Sequence, residues 1–278
     1  MRRICQTLDV RRSLGGIVLI IAAVLLAVAV GAWWLQRVAF TPSEDADVAH
    51  SVLDDDAIRG QIATIVASAD APVLGQSPTE LKEFIEEIAK IPDGAALMSR
   101  FLGEGHRRVL GDTDDLVLIT AAEQVTIVRD ERVGEVLPLT LPVQRIGSVA
   151  FLADWLGWFA IGTAGLGLLL LVAGVILRPE RGEGVFALGV GLASLAASLF
   201  LFGFLVPLAI LPALSDDPWM GVFARLAVHH RNLTLLLMVV ALIGAALVAF
   251  STSSRRHRRP RSMPLNVARY RDDRSWSR

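Results

Sequence analysis

The chain has 278 residues, of which 53% are hydrophobic, and its mean hydropathy of +0.53 is high for a soluble protein. The net charge is −1, but acidic and basic residues are concentrated in different parts of the chain. Residues 41–149 hold 20 acidic and nine basic residues, and the rest of the chain is basic. A single cysteine, Cys5, excludes an intramolecular disulfide and a cysteine-rich metal site, and predicts an ordinary reduced thiol. These values favour a membrane protein with one acidic domain outside the bilayer.

The first apolar run predicts a transmembrane helix over residues 14–35, after a cytoplasmic N-terminus of residues 1–13. Ile17–Val30 contains neither a charge nor a proline, and about 20 apolar residues are enough to cross a bilayer. A small-x-small sequence inside the run also fits a signal-peptidase site. The run continues beyond it to two tryptophans, which favours an uncleaved anchor.

Residues 36–149 are predicted to form an extracytoplasmic domain that is mostly helical with a small α/β part. Ser51-Val-Leu-Asp54 fits a capping box, and Ser77-Pro-Thr-Glu80 places proline at the first position of a helix. Apolar side chains then recur at helical spacing. The three resulting stripes are Ile58, Ile62, Ile65 and Val66; Leu81, Phe84, Ile85 and Ile88; and Leu97, Met98, Phe101, Leu102 and Val109.

The β element is predicted from two short apolar runs, Leu116–Ile119 and Leu137–Pro142, the second with prolines that suit a sheet edge. Two alternatives stay open for residues 121–134. Thr120-Ala-Ala-Glu123 favours a capped helix ending near Gly134, whereas the β-branched run at 125–128 favours a strand.

Three further apolar runs predict membrane-spanning helices over residues 151–177, 185–211 and 232–250. Helices are expected because an unclosed sheet leaves backbone groups unpaired in lipid. The connections are predicted as a cytoplasmic loop at 178–183 and an extracytoplasmic loop at 212–231, in which residues 218–228 form an interfacial helix. A cytoplasmic basic tail at 251–278 completes the chain, with a disordered end from residue 262.

Arginine counts near the span ends predict the orientation, since cytoplasmic flanks carry an excess of basic residues. With the N-terminus inside, 11 arginines are internal and four are external. The internal set is Arg2, Arg3, Arg11, Arg12, Arg178, Arg181, Arg255, Arg256, Arg258, Arg259 and Arg261, and the external set is Arg37, Arg145, Arg225 and Arg231. The sequence therefore predicts a multi-pass protein of a bacterial plasma membrane with both termini cytoplasmic.

Two acidic groups are candidate cation sites. Asp54-Asp55-Asp56 also fits the start of a helix, where carboxylates are favoured by the helix dipole, and this interpretation is preferred. Asp112, Asp114 and Asp115 resemble part of a calcium loop. The glycine and the final glutamate of such a loop are missing, so an acidic turn is predicted.

The histidines do not have metal-ligand spacing. His106 adjoins two arginines and is predicted to be a solvated residue on a helix flank. His229 and His230 begin the last span, and because adjacent helical residues do not face one another, interface anchoring is preferred over metal binding. With no hydrolase, nucleotide or dinucleotide motif in the sequence, no catalytic, cofactor-binding or metal-binding residue and no cofactor is predicted.

The spans lack ionisable groups in their central parts, which weakens a transport function. Small residues recur at every fourth position, a pattern that lets helices pack closely within the chain or between copies in a homo-oligomer. These stripes are Gly189, Ala193 and Ala197; Ser194 and Ser198; and Ala241, Ala245 and Ala249. The basic tail is interpreted as an anchor beside lipid headgroups, with no nucleic-acid partner.

Five segments resemble uncharacterised actinobacterial membrane proteins that carry one exported domain between the first two spans. They are Trp34–Pro42, Ile58–Ile62, Ala95–Arg100, Gln124–Glu131 and Leu139–Pro142. The resemblance covers residues 31 to about 183 and contains no catalytic signature. It implies an envelope protein, and no functional residues carry over from it.

The favoured function is that of a non-enzymatic membrane protein of the cell envelope. Its acidic extracytoplasmic domain is expected to bind an envelope protein partner or support an assembly, with the lipid bilayer as its other partner. Two alternatives stay open: a small transporter or channel subunit, and a membrane enzyme acting on lipid or cell-wall material.

Overall fold

The computed structural model describes residues 2–177 and 181–257, so part of the predicted 178–183 loop and most of the basic tail lie outside the described residues. The fold is mainly helical, as predicted. Four helices in the described ranges are long and apolar enough to cross a membrane. These candidate spans are Leu14–Ala39, Gly147–Ile176, Gly182–Leu214 and Arg231–Ser251.

The elements follow one another in a simple order along the chain. The first span belongs to α1 (Arg2–Ala39). Then come α2 (Ala46–Leu53), α3 (Asp56–Leu74), α4 (Pro78–Ala89), α5 (Pro92–Leu110), β1 (Val117–Ile119), α6 (Ala121–Val128) and β2 (Leu139–Leu141). The remaining helices are α7 (Gly147–Ile176), α8 (Arg181–Phe200), α9 (Gly221–His229) and α10 (Arg231–His257).

Two of the spanning helices extend beyond their apolar runs. α1 begins at Arg2, because residues 2–13 contain neither proline nor glycine and the helix continues without a break. α10 likewise continues to His257, so the first arginines of the predicted tail extend the last helix. Side chains are described only from Leu14 to Leu177 and from Gly182 to Ser251, which leaves the predicted thiol of Cys5 outside the described side chains.

The spans form a row rather than a ring. α1 packs against α7 on one side and α8 on the other, and α8 packs against α10. Glycines allow this close approach: a side chain at Gly174 would overlap Leu19, and one at Gly191 would contact Ala23. Within the described ranges, the two edge helices α7 and α10 each have one main neighbour among the spans, so most of their apolar surface is free to face lipid.

The third span changes its hydrogen-bonding pattern near its end. α8 continues as a π-helix over Leu201–Ile210, where the N–H of Leu211 donates to the carbonyl of Val206. The π-helix contains Pro207, whose nitrogen has no hydrogen to donate. The structure therefore places the irregularity of the third span at this proline.

Residues 40–146 form the inter-span domain, in which α3 packs against α4 and α2 against α5. The carboxylate of Asp55 caps α3 by accepting hydrogen bonds from the backbone N–H groups of Ala57 (3.0 Å) and Ile58 (3.3 Å). The predicted capping box at 51–54 is wrong, because Ser51 lies inside α2. Its hydroxyl instead donates to the carbonyl of Arg225, 3.2 Å away.

The β element is a two-stranded antiparallel ribbon in which Val117 pairs with Leu141 and Ile119 with Leu139. Between the strands, the helical alternative is correct, since Thr120 and Glu123 form a capping box at the start of α6. The helix ends earlier than predicted. Arg129 adopts a left-handed conformation with φ of 60°, which stops the helix at Val128, and a 3-10 helix follows over Glu131–Glu135.

The connection between the third and fourth spans contributes to the core of the inter-span domain. A 3-10 turn at Pro218–Met220 leads into α9, which packs against α2 and α1. The buried apolar side chains of the turn and of α9 are Trp219, Met220, Val222, Phe223, Leu226 and Ala227. The sequence predicts an interfacial helix here, whereas the structure buries the apolar side of α9 inside the protein.

Candidate functional site

His106 lies at the junction between the inter-span domain and the spans. It is 4% exposed, and its Nε2 is 2.9 Å from the carbonyl oxygen of Ala39 at the end of α1. Its ring meets that of Phe223 edge-on, with centroids 5.6 Å apart. Burial lowers the pKa of His106 to about 4, with a further contribution from Arg107, against the raising effect of the Ala39 carbonyl. The neutral ring therefore donates its Nε2–H to that carbonyl, and the prediction of a solvated residue is wrong.

Asp70 is a second buried titratable group, and the sequence did not predict it. It continues the buried stripe of α3 after Ile58, Ile62 and Val66, and is 0% exposed. Among the described residues, neither carboxylate oxygen has a hydrogen-bond partner. Burial raises the pKa of Asp70 to about 6. Its position at the four-residue spacing of this stripe was the available sequence signal.

The acidic groups have structural contacts. Asp55, besides capping α3, lies 3.6 Å from the Nε of Arg225 on α9, and Asp56 pairs with Arg59. After α5, the Arg108 guanidinium donates to the backbone carbonyls of Asp114 and Asp115. In the described ranges, no group of three or more His, Cys, Asp or Glu side chains is arranged to hold a metal ion.

His229 and His230 do not share a helix, contrary to the prediction. His229 ends α9, His230 lies between α9 and α10, and their ring centroids are 4.9 Å apart. The pKa of His230 is lowered by burial, and also by the positive charges of His229 and Arg37. The sequence had no means of placing Arg37, which ends the first span, beside residues that precede the last.

One face of α4 points away from the core and combines acidic and apolar groups. We call this surface the acidic α4 face and define it as Glu80, Glu83, Phe84 and Glu87, which follow one another at helical spacing on α4, together with Ile91, the extended residue that precedes α5. The three glutamates are exposed, Phe84 is 42% exposed and Ile91 50%. The sequence assigned Phe84 to the core, but the buried side is formed by Leu81, Ile85, Ile88 and Ala89. Lys90 offsets part of the charge by pairing with Glu87 at 2.5 Å.

Some of the small residues of the spans pack against other helices of the same chain. The hydroxyl of Ser198 donates to the carbonyl of Ala27 on α1 at 2.8 Å, and Gly189 faces Val248 of α10. Ala193 and Ala197, in contrast, are exposed. A groove of about 510 Å³ with an apolar lining runs between α1, α7 and α8. Association between copies through the small-residue faces stays a prediction.

Comparison with known proteins found no matching family model, curated protein or solved structure.

Proposed function

We propose that this chain is an integral protein of a bacterial plasma membrane that presents its inter-span domain outside the cytoplasm for partner binding or assembly. The four candidate spans support the membrane location. The excess of arginines on the flanks assigned to the cytoplasm supports the orientation. A reporter active only outside the cytoplasm should function when fused at Gly75 or Asp217 and be silent when fused at Gly182 or after Ser262. Activity at Gly182 with silence at Gly75 would reverse the orientation.

The acidic α4 face is the observation that carries the binding function. It combines two exposed apolar side chains with three exposed glutamates, while α4 itself packs against α3, α5 and α6. An apolar centre with a charged rim is typical of a surface that binds a protein partner. The complementary partner is a protein segment with basic residues around an apolar centre. Because exposed charges act over about 8 Å at physiological ionic strength, added salt should weaken the contact.

Site-specific photo-crosslinking in native membranes tests this proposal. A photoreactive residue at position 84 or 91 of the full-length chain should give the same discrete crosslinked product, and its yield should fall in high salt. Thr126, which is exposed on α6, is the control position and should not give that product. Equal products at Thr126 and Phe84 would contradict a specific binding face.

Charge neutralisation provides an independent test of the same face. Replacing Glu80, Glu83 and Glu87 with Gln should reduce the crosslinking yield at position 91, because the rim charges would be lost. A matched control replaces three exposed acids elsewhere in the domain with their amides. These are Asp47, Glu131 and Glu135. Equal losses in the two triple variants would show that overall charge, and not this face, determines the contact.

A further inference from the structure

Exposed tryptophans mark one level along the spans. Trp33 on α1 and Trp155 and Trp158 on α7 are all exposed, Trp158 by 77%. The two helices are aligned at this level, since a side chain at Gly157 would lie 3.2 Å from the Nε2 of Gln36. Indole rings concentrate at the boundary between membrane and water. The level of Trp33 and Gln36 thus marks the membrane surface on the side of the inter-span domain.

A buried hydrogen bond aligns the first span with the last. The Nε1–H of Trp34 on α1 donates to the hydroxyl of Thr234 on α10 over 3.1 Å. α1 runs toward the inter-span domain and α10 runs away from it. The residues that lie one helical turn closer to the domain are therefore Arg37 on α1, and His230 and Arg231 at the start of α10.

These residues, together with His229, form what we call the cationic cluster, in which the two arginines carry the permanent positive charge: Arg37, His229, His230 and Arg231. In the part of the chain that the structure describes, no carboxylate lies within salt-bridge distance of Arg37 or Arg231, and both are exposed. The other two arginines assigned to the same flank are paired. Arg145 contacts Asp114 at 3.3 Å, and Arg225 contacts Asp55 at 3.6 Å.

Apolar surface continues from the cationic cluster along the spans. On α1, Val30 and Trp33 share the stripe of Arg37, and both are exposed. On α10, Leu233 and Leu237 are exposed and lie three and seven residues after His230. A ligand that fits this surface is anionic at the membrane surface and apolar below it.

We propose that the cationic cluster binds the phosphate group of an anionic phospholipid from the leaflet on the side of the inter-span domain. Guanidinium groups form paired hydrogen bonds to phosphate oxygens, which suits Arg37 and Arg231 to this role. The N-terminus of α10 adds the positive end of its helix dipole. The acyl chains run beside the exposed stripes of α1 and α10. A free phosphate ion would use the cluster but not the stripes.

Native mass spectrometry of the full-length chain in detergent tests the proposal. The probes are phosphatidylglycerol, phosphatidylcholine of the same chain length, and inorganic phosphate. We expect preferential binding of phosphatidylglycerol. Changing Arg37 and Arg231 to Gln should weaken it about 30-fold, which corresponds to about 1 kcal/mol for each arginine.

Two further variants keep the result interpretable. Arg129→Gln with Arg132→Gln removes two exposed arginines from the inter-span domain and should leave lipid binding unchanged. Arg37→Lys with Arg231→Lys preserves the charge and should retain the preference for phosphatidylglycerol. The proposal is overturned by equal binding of the two lipids, by an equal loss in the control variant, or by inorganic phosphate displacing the lipid at an equal concentration.

Discussion

Replacing Asp70 with Asn should stabilise the protein at neutral pH. The carboxylate is fully buried and, within the described residues, has no hydrogen-bond partner. Its pKa rises from 3.8 to about 6 in the fold. Since one pH unit corresponds to 1.36 kcal/mol, the ionised group costs the folded state about 3 kcal/mol at pH 7. Asn has nearly the same shape and no charge, so most of this free energy should be recovered.

The sign of the pH dependence follows from the raised pKa. Between pH 4 and 6 the folded protein binds more protons at Asp70 than the unfolded chain does. The contribution of Asp70 to stability is therefore favourable in acid and is lost as the pH rises through about 6. The gain from Asp70→Asn should be near zero at pH 4 and reach about 2–3 kcal/mol at pH 7.

Urea unfolding of the full-length chain in detergent, followed by tryptophan fluorescence, measures this gain. The quantity to plot is the free energy of unfolding of the variant minus that of the wild type, because this difference removes the effect of other titrating groups. Asp216→Asn, in an exposed loop, is the matched control and should change stability by less than about 0.5 kcal/mol. A difference that stays constant from pH 4 to 7, or a loss of stability at pH 7, would refute the reasoning.

Three further predictions use the same unfolding assay. The wild type should lose about 3 kcal/mol of unfolding free energy as the pH falls from 6.5 to about 4, because the buried ring of His106 favours the neutral form. His106→Gln should remove this loss, and an unchanged loss of stability in acid would contradict the prediction. Gly105→Ala should destabilise the protein by about 1–3 kcal/mol, since its new methyl group would overlap a buried indole ring, whereas Gly162→Ala, which meets open space, should be tolerated. Thr234→Val should cost about 1 kcal/mol by removing the hydrogen bond from Trp34, and no loss would show that this bond contributes little.

Local signals in the sequence predicted much of the secondary structure. The apolar runs are long enough to specify spanning helices whatever their neighbours are. Thr120 and Glu123 specify the start of α6 through contacts within four residues, although the β-branched run at 125–128 left a strand as the open alternative. Ser51 and Asp54 fit the same general pattern of a hydroxyl residue followed three positions later by an acid, but Ser51 lies inside α2 and the neighbouring Asp55 caps α3.

Tertiary contacts explain what the sequence did not predict. Helical spacing identifies an apolar side, but it does not identify the element that covers that side. His106 lies on the buried side of α5, and its partner is the carbonyl of Ala39, 67 positions earlier in the chain. The cationic cluster also depends on a tertiary contact. In the sequence its two arginines are far apart and indicate only orientation, whereas the hydrogen bond from Trp34 to Thr234 shows that the end of α1 lies beside the start of α10.

The placement of α9 has a consequence for the order in which the chain is made. A ribosome completes residues 40–146 well before it reaches Trp219 and Phe223, yet both of these side chains belong to the core that those residues form. The domain must therefore wait with an open apolar cavity while the second and third spans are synthesised and inserted. The cavity is filled only when α9 and the turn before it, which lie between the third and fourth spans, have been made. A chain truncated after the third span would retain all of residues 40–146 and still present an unfinished core to the cell's chaperones and proteases.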